Sequence, residues 1–431
     1  MKSASVYDLA AMLVGTAIDA FRPGRIRGLD LGFTGVAGAF RAAALGLLLF
    51  AGSGVHAAFR DDFDAPVVKD ASGVNGWNFF TGDGKATMDF TAANGFGTVS
   101  VDATADHRGI WWAIIKRDIS ANIDLARLAQ PGTELRVEAR VRSSHAPRRI
   151  NLSFNTQRTT DFHGNLMEFD LAEAGVWQTI GFTTHGFDGR PGDHVYAQLA
   201  MIDWGLGRYH VDVDSFKVEV VDAATAGPDL GVPVPYRPPL ADPRSFRHAL
   251  AAAQSATIDR REPEANLRDW SAIDEDSPTR VLTVNGTQYV ILRWDLSAFA
   301  GKKIAGSGLL ELTTHSVQRP AERRKDFGMI HVVEILGGDP QWDRNTVTYE
   351  SLCQGHAFDE VFNTQMIIDV NVSDTRGSRS YFTISRPVLQ RLVDGRTKGI
   401  VLRPLGSINA AFMAGWDDPD HAPKLLFNVA P

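Results

Sequence analysis

The residues from Asn151 to Leu171 carry an unusual density of groups that can do chemistry. The stretch reads "NLSFNTQRTTDFHGNLMEFDL" and holds three Asn, a Gln, an Arg, a His and a Glu within eighteen residues. Amide and guanidinium groups form planar, paired hydrogen bonds, and imidazole and carboxylate groups accept and release protons. A solvated strand face normally uses Lys, Glu, Thr and Ser instead, so this composition predicts a surface that faces a ligand.

The alternation of apolar and polar residues predicts that neighbouring strands place these groups on one face of a sheet. The apolar positions of each run then point to the core. The predicted outward set is Asn151, Asn155, Gln157, Glu168, Gln198 and Trp204. Amides suit the hydroxyl groups of a sugar, and an aromatic ring suits its C–H face, so the set is a candidate glycan site. The alternative is a solvated face that polar cross-strand pairs stabilise.

The same surface contains groups that could act on an acidic polysaccharide by β-elimination. That reaction needs a group that neutralises the uronate carboxylate, a base for the C5 proton and an acid for the leaving oxygen. Arg158, His163 and Tyr196 are the candidates for these roles. Glycoside hydrolysis would instead pair Glu168 with a second carboxylate. The possible partners, among which the sequence does not choose, are Asp161, Asp170 and Asp203.

Two acidic clusters raise the possibility of a structural calcium ion. "RDDFD" and "VDVDS" fall on the predicted first and last strands of one module, which are often neighbours in a jelly roll. Carboxylate oxygens are the ligands that calcium prefers, although exposed Asp clusters are more often merely solvated. The candidate ligands are Asp62, Asp64, Asp212 and Asp214. No His spacing indicates a transition metal, and no cofactor is predicted to be required.

Composition sets the broad class of the protein. The chain has 431 residues, enough for two or three domains, and it is 44% hydrophobic and 22% charged, as globular proteins are. The net charge of −7 gives no overall attraction to nucleic acid. The single cysteine, Cys353, excludes an intramolecular disulfide bond.

Residues 1–58 have the pattern of a targeting segment. Arg41 precedes an apolar run over residues 42–51, and small residues then lead to Ala57 and Ala58. That order is typical of a secretory signal, with cleavage after one of these two alanines, and the run is too short to span a bilayer. We therefore expect a secreted or periplasmic protein. The alternative is a buried amphipathic helix.

Short alternating runs fill the rest of the chain and predict an all-β protein. In residues 59–222, "TELRVEARVR" is one such strand. Residues 223–245, with six prolines in and beside them, read as an extended linker. Residues 246–431 contain strand signals such as "TQYVILRWDL" and "NTVTYES", and one helix, "SRPVLQRLVDG", capped by Ser385. The prediction is two β-sandwich or jelly-roll domains joined by a Pro-rich linker.

The second half of the chain resembles a known family. "YVILRWDLSAFAGKKIAGSGLLELT", "WDRNTVTYES" and "GWDDPDHAPKLLFNV" follow one another in this order. Together they resemble the DNRLRE, or disaggregatase-related, β-sandwich module over Ala251–Val429. The resemblance implies polysaccharide binding, with acidic glycans of the alginate type among the ligands, usually beside a catalytic module.

The first half resembles the carbohydrate-binding jelly rolls of the CenC type. "TELRVEARVRS", "INLSFN", "GVWQTIGFTT" and "YHVDVDSFKVEVV" carry this resemblance, which covers Phe59–Val221. It implies a sugar-binding sandwich. The combined prediction is an exported protein that recognises a polysaccharide, in particular one containing uronic acid. The alternatives are a polysaccharide lyase with its site on the first domain, and a purely structural adhesive protein of the cell envelope.

Overall fold

The computed structural model describes most of the chain beyond the predicted targeting segment. That segment lies outside the described residues except for Ala58. No helix within the described ranges is long and apolar enough to cross a membrane. The described residues are 58–82, 84–105, 112–236, 238–268, 280–319, 329–365 and 368–431.

The first sandwich is built almost entirely of strands, with one short helix, α1 (Leu125–Leu128). Its strands are β1 (Ala58–Asp61), β2 (Asn78–Thr81), β3 (Thr87–Ala93), β4 (Phe96–Asp102), β5 (Trp112–Asp118), β6 (Thr133–Ser143), β7 (Arg148–Thr156), β8 (Leu166–Leu171), β9 (Gln178–Thr183), β10 (Val195–Ile202) and β11 (Arg208–Asp222).

Two antiparallel sheets face each other in this sandwich. The back sheet has the order β3–β4–β11–β6–β9, with β1 also paired to β11. The front sheet has the order β8–β7–β10–β5–β2 and gains one further strand at the β8 edge. Alternate residues of each strand fill the space between the sheets, as Val137 of β6, Leu152 of β7 and Leu199 of β10 show. The predicted β-sandwich is therefore confirmed, because a period of two puts one face of every strand in the core.

The Pro-rich segment between the sandwiches lies along the first one. Pro233–Val234 forms β12, which pairs with β8 at the edge of the front sheet. Leu230 also bridges to Gly181 of the back sheet. Proline lacks an N–H donor and is tolerated at a sheet edge. The segment predicted as an extended linker thus contributes a short strand to the edge of the front sheet.

The second sandwich follows the same principle and carries three short helices. Its helices are α2 (Tyr349–Cys353), α3 (Phe358–Val361) and α4 (Arg386–Val393). Its strands are β13 (His248–Ala251), β14 (Gln254–Asp259), β15 (Val281–Val284), β16 (Gln288–Arg293), β17 (Gly308–Gln318), β18 (Met329–Ile335), β19 (Ile368–Val370), β20 (Arg379–Ile384), β21 (Gly399–Leu405), β22 (Asn409–Met413) and β23 (Lys424–Phe427).

Its two sheets have the orders β13–β23–β17–β22–β15, with β20 on β17, and β14–β16–β21–β18–β19. The helix predicted near Ser385 is confirmed as α4, with Ser385 at its N-cap and Gly395 beyond its end at a φ of 71°. The strand predicted from "NTVTYES" is wrong. Thr348 and Ser351 form a reciprocal capping box there, and α2 begins at Tyr349.

The sandwiches meet through buried charged groups at one end of the front sheet. Arg391 of α4 donates to Asp170 of β8 at 2.6 Å and to Glu334 of β18 at 2.8 Å. Arg149 of β7 donates to the Ser385 hydroxyl at 3.0 Å. Because these side chains are buried, their pairing compensates the cost of removing charge from water. The contact fixes the end of the front sheet against the second sandwich.

Candidate functional site

The outer face of the front sheet collects polar side chains from three central strands. The register places Gln198 of β10 opposite Lys116 of β5, and Tyr196 of β10 opposite both Asp118 of β5 and Asn155 of β7. We call these five residues the polar patch. Their inward neighbours are core residues, so the alternation of each strand forces these side chains outward.

Lys116 is the residue of the patch with the most unusual environment. Its side chain is only 4% exposed, and its ammonium nitrogen lies 3.7 Å from the centre of the Tyr196 ring. Burial lowers the pKa of Lys116 to about 8, against the opposing charge of Asp118. The observed contact of this ammonium group is therefore a cation–π contact with the Tyr196 ring. Lysines are almost never fully buried unless they are paired, so Lys116 stands out among the residues of this face.

One amide in the patch has a buried donor without an acceptor among the described residues. The Gln198 amide donates to Oδ1 of Asn155. The Nδ2 group of Asn155, 2% exposed, has no acceptor among the described residues. A buried donor without an acceptor costs about 1–3 kcal/mol. Asn155 therefore has an unsatisfied donor on the same face as the ammonium group of Lys116, a combination that suits a ligand rich in oxygen atoms.

An apolar area adjoins the polar patch on the same face. Trp112 and Ile114 of β5 pack there with Ala200 of β10 and with Phe162, which lies in the loop between β7 and β8. Phe80 meets Trp112 edge to face, with ring centres 5.4 Å apart. Aromatic and apolar surface beside fixed hydrogen-bonding groups is the usual composition of a binding site for an organic ligand.

The structure brings together four of the six predicted binding residues. Asn151, Asn155, Glu168 and Gln198 all lie on the front face. The amide of Gln157 is used inside the protein: it donates to Asp193 at 2.8 Å and accepts from the His194 backbone N–H at 2.9 Å. Its place is beside the patch, in the turn after β7, where it positions other groups.

Trp204 does not lie on the face. It is fully buried, its indole donates to the Arg149 carbonyl at 3.0 Å, and its ring packs on Tyr209 at 4.6 Å. The chain leaves β10 at Ile202 and reverses at Asp203, whose φ is 56°, so Trp204 turns into the core. Its ring therefore offers no face to a sugar.

Glu168 is held by its neighbours at the end of the front face nearest the second sandwich. Burial raises the pKa of Glu168. The charge of Arg149, whose guanidinium lies 3.0 Å away, and a hydrogen bond with Asn151 lower it in part. Of the carboxylates considered as its hydrolytic partners, Asp170 is paired with Arg391, Asp161 is exposed and Asp203 is buried. The carboxylates of Glu168 and Asp170 are thus each bound to an arginine, which favours a structural role for both.

The three residues predicted for β-elimination are placed differently from one another. Arg158 is bound to Asp193 at 2.6 Å and to Asp188 at 3.0 Å, and these hydrogen bonds raise the pKa of Arg158. His163 stacks on Tyr236, with ring centres 4.6 Å apart and planes 2° apart. Tyr196 is in the polar patch, where burial raises its pKa. The Arg158 guanidinium is thus engaged in holding a turn.

Two features of the face were missed from the sequence. Lys116 stands in "WAIIKRD", where a continuous apolar run hides the alternation of Trp112, Ile114 and Lys116 on one side. The second feature is a hydrogen bond between Asp118 and His194, 2.7 Å long. A lysine inside an otherwise buried strand was the signal available, because lysine is almost never buried without a reason.

Three of the four candidate calcium ligands pair with arginines. β1 does pair with β11, as expected. However, Asp62 pairs with Arg60 at 2.7 Å, Asp212 with Arg142 at 2.6 Å, and Asp214 with Arg140. Within the described ranges, no group of three His, Cys, Asp or Glu side chains is arranged to hold a metal. Each of these three carboxylates pairs with a separate arginine.

The back sheet has a groove of about 540 Å³ near the start of β11. Its charged walls are internally paired: Asp102 binds Arg208 at 2.9 Å, and Asp89 binds Lys69 at 2.5 Å. His145 lies at its rim. Paired charges give a ligand less to bind than the unsatisfied Asn155 donor and the Lys116 ammonium group of the polar patch, so we take the front face as the candidate site.

No family model matches the chain, and no curated protein matches it. Neither family resemblance is therefore confirmed. Among solved structures, a CBM4 module is similar at 17% identity and a TM-score of 0.28, covering 37% of this chain and 97% of the module. A family 11 carbohydrate-binding module from a cellulosomal cellulase of Clostridium thermocellum aligns at 13% identity and a TM-score of 0.23, covering 37% of this chain and 92% of the module. The CBM22 tandem of Paenibacillus barcinonensis aligns at 10% identity and a TM-score of 0.24. The alignment covers 88% of this chain and 98% of the tandem. At these scores the similarities carry no inference about function.

Proposed function

We propose that the front face binds a polysaccharide that carries carboxylate groups, as a uronic-acid polymer does. The observation that supports the proposal is the position of Lys116, which is 4% exposed and whose ammonium group lies over the Tyr196 ring, on the same face as the unsatisfied Nδ2 donor of Asn155. A carboxylate of the ligand supplies this ammonium group with an acceptor and a negative charge. Hydrogen bonds to charged groups are worth about 1.5–3 kcal/mol, more than those between neutral groups.

The rest of the face supplies what a sugar ring requires. The free Nδ2 donor of Asn155 suits a hydroxyl or a ring oxygen, and the apolar area around Trp112 and Phe162 suits the C–H side of the ring. Secretion or export to the periplasm stays part of this proposal, because it depends on the signal pattern of residues 1–58.

Affinity electrophoresis tests the proposal with the full chain. We expect a uronic-acid polymer in the gel to retard the wild type, and the same polymer with its carboxyl groups reduced to alcohols to retard it much less. Lys116→Met should weaken binding about tenfold or more, as the loss of a charged hydrogen bond predicts. Lys217→Met is the matched control, because Lys217 lies on the back sheet, is partly exposed and pairs with Glu219.

Three outcomes would overturn the proposal or part of it. Equal retardation by the acidic and the reduced polymer would remove the carboxylate specificity. Unchanged binding by Lys116→Met would remove the site from the front face. Absence of retardation by any polysaccharide, for a chain shown to be folded by circular dichroism, would reject polysaccharide binding itself.

A further inference from the structure

We propose that the second sandwich binds a small divalent oxyanion, of the phosphate or sulfate class, through the guanidinium groups of Arg260 and Arg403. We call these two residues, with Tyr289, Tyr349 and Phe358 around them, the arginine cluster. The cluster lies in the second sandwich and the polar patch lies in the first. This site is therefore additional to the proposed function and does not depend on it.

The strand register gathers the arginine cluster on the outer face of one sheet. Tyr289 of β16 and Arg403 of β21 each adjoin the pair formed by Val290 and Leu402, so they are neighbours across these strands. Arg260 directly follows β14, which pairs with the other edge of β16. Val290 and Leu402 point into the core between the sheets, so strand alternation turns the residues beside them to the opposite face, where α2 and α3 pack.

Both guanidinium groups contact the same two aromatic residues. The Cζ atoms of Arg260 and Arg403 lie 5.1 and 4.7 Å from the centre of the Phe358 ring. Arg260 donates to the Tyr289 hydroxyl at 3.1 Å. Arg403, whose Cζ is 5.4 Å from the centre of the Tyr289 ring, interacts with the same hydroxyl. Since one oxygen atom is within reach of both guanidinium groups, a small anion beside it can contact both.

The arginine cluster holds its cations with hydroxyl groups. The residues that act most strongly on Arg260 are Tyr289 and Tyr349, and those that act most strongly on Arg403 are Tyr289 and Arg260. Burial and the nearby charge of Arg260 lower the pKa of Arg403. The Nε group of Arg403 is buried and has no hydrogen-bond partner among the described residues. A tyrosine hydroxyl orients a guanidinium without neutralising it, so these contacts leave two like charges uncompensated.

The buried arginine of α4 shows how this chain otherwise compensates such a charge. Arg391 lies between two carboxylates, with Asp170 at 2.6 Å and Glu334 at 2.8 Å. Removal of a cation from water is costly unless an anion and good hydrogen bonds accompany it. In the arginine cluster, an anion from solution takes the part that the two carboxylates have at Arg391.

Charge and shape select the class of ligand. Each guanidinium is a planar fork of donors that matches the oxygen atoms of phosphate, sulfate or carboxylate groups. Two such cations match a divalent anion, so phosphate and sulfate compensate the cluster more completely than one carboxylate does. Arg260 is exposed and Arg403 is half-buried, so the cluster opens to solvent at Arg260. A free ion and the phosphate or sulfate ester of a sugar both carry this chemistry.

Isothermal titration calorimetry of the full chain with inorganic phosphate and with sulfate tests the site, at an ionic strength held constant with sodium chloride. We expect saturable binding of each anion by the wild type, and a midpoint of thermal unfolding that rises with anion concentration. Arg260→Met should weaken this binding about tenfold or more, as the loss of a charged hydrogen bond predicts. Arg247→Met is the matched control, because Arg247 is exposed, precedes β13 on the other sheet and carries the same charge.

Arg403→Met tests the half-buried member of the pair. It should weaken binding at least as much as Arg260→Met does, and circular dichroism shows whether the variant folds. Because Arg260 is exposed, its variant keeps the test decisive if Arg403→Met does not fold. Titration with glucose 6-phosphate separates the two sources. Tighter binding than that of inorganic phosphate indicates an ester group of a larger ligand, and weaker binding indicates the free ion.

Three results would overturn the proposal. Absence of saturable phosphate and sulfate binding by the folded wild type would reject the site. Equal affinity in the wild type and Arg260→Met would place the binding elsewhere. Acetate binding as tight as phosphate binding would replace the divalent class by a carboxylate. The front face is tested separately: the uronic-acid polymer should retard Arg260→Met as it retards the wild type, and Lys116→Met should bind phosphate as the wild type does.

Discussion

Replacing Lys116 with methionine is expected to stabilise the folded protein while it weakens ligand binding. Methionine has a similar shape and carries no charge, so the variant removes a buried ammonium group whose charged form burial disfavours. Replacing buried charge by apolar groups of similar volume is often neutral or stabilising. A side chain that lowers stability and raises affinity is expected at a functional site.

The magnitude follows from the pKa of Lys116, which burial lowers from 10.5 to about 8. That difference corresponds to about 3 kcal/mol of destabilisation of the charged form in the folded protein. The cation–π contact with the Tyr196 ring, 3.7 Å away, stabilises the charged form in the folded protein by about 1–2 kcal/mol. The net gain expected for Lys116→Met at pH 7 is therefore about 1–2 kcal/mol.

The gain should depend on pH in a defined direction. Because the pKa of Lys116 is lower in the folded protein, the unfolded chain binds more protons between pH about 8 and 10.5. The free energy of unfolding of the wild type therefore rises with pH across that window. Lys116→Met lacks this rise. Its gain in the free energy of unfolding over the wild type should therefore be complete below about pH 8 and should decline toward pH 10.5.

Chemical denaturation of the full chain at pH 7 and pH 10 measures the effect, with Lys217→Met as the control. Lys217 is partly exposed, and its substitution should change the free energy of unfolding by less than about 0.5 kcal/mol at either pH. A loss of stability of several kcal/mol at pH 7 in Lys116→Met would show that the ammonium is well satisfied. The reasoning that assigns it to a ligand would then be refuted.

Three further predictions concern the surroundings of the site. Arg391→Met should lower the free energy of unfolding by about 3–5 kcal/mol in denaturation experiments, because two buried carboxylates lose their cation; a neutral result would mean that water reaches them. Trp204→Phe should cost about 0.5–1.5 kcal/mol through the loss of one hydrogen bond, because the Arg149 carbonyl keeps a second donor, Nε2 of Gln365, at 3.2 Å. Retardation by the polysaccharide should not change; loss of retardation alone would return Trp204 to the site. Arg158→Ala should raise the pKa of Asp193 from about 2 toward its ordinary value, as measured in a carboxyl titration by NMR. The difference in the free energy of unfolding between wild type and variant should shrink as pH falls from about 4 to about 2. An unmoved pKa would contradict the ion pair.

The sequence by itself determined the elements and their faces. A period of two in β6 and β7 identified which side chains enter the core, and Ser385 with Gly395 identified the limits of α4. These signals are local, because alternation and capping involve only residues close together in the chain. One local signal was misjudged: Thr348 and Ser351 form a helix cap in a segment that reads as a strand.

Only the tertiary structure decided which outward side chains are available to a ligand. Arg391 pairs with Asp170 across 221 positions of sequence, and Trp204 turns inward after β10. Lys116 is buried on the front face, and the nearby Nδ2 group of Asn155 has no acceptor among the described residues. Whether a polar group is satisfied depends on the neighbours that distant segments bring to it, and periodicity carries no information about them. Thus the sequence located the front face, and only the folded chain distinguished the groups used for structure from those left for binding.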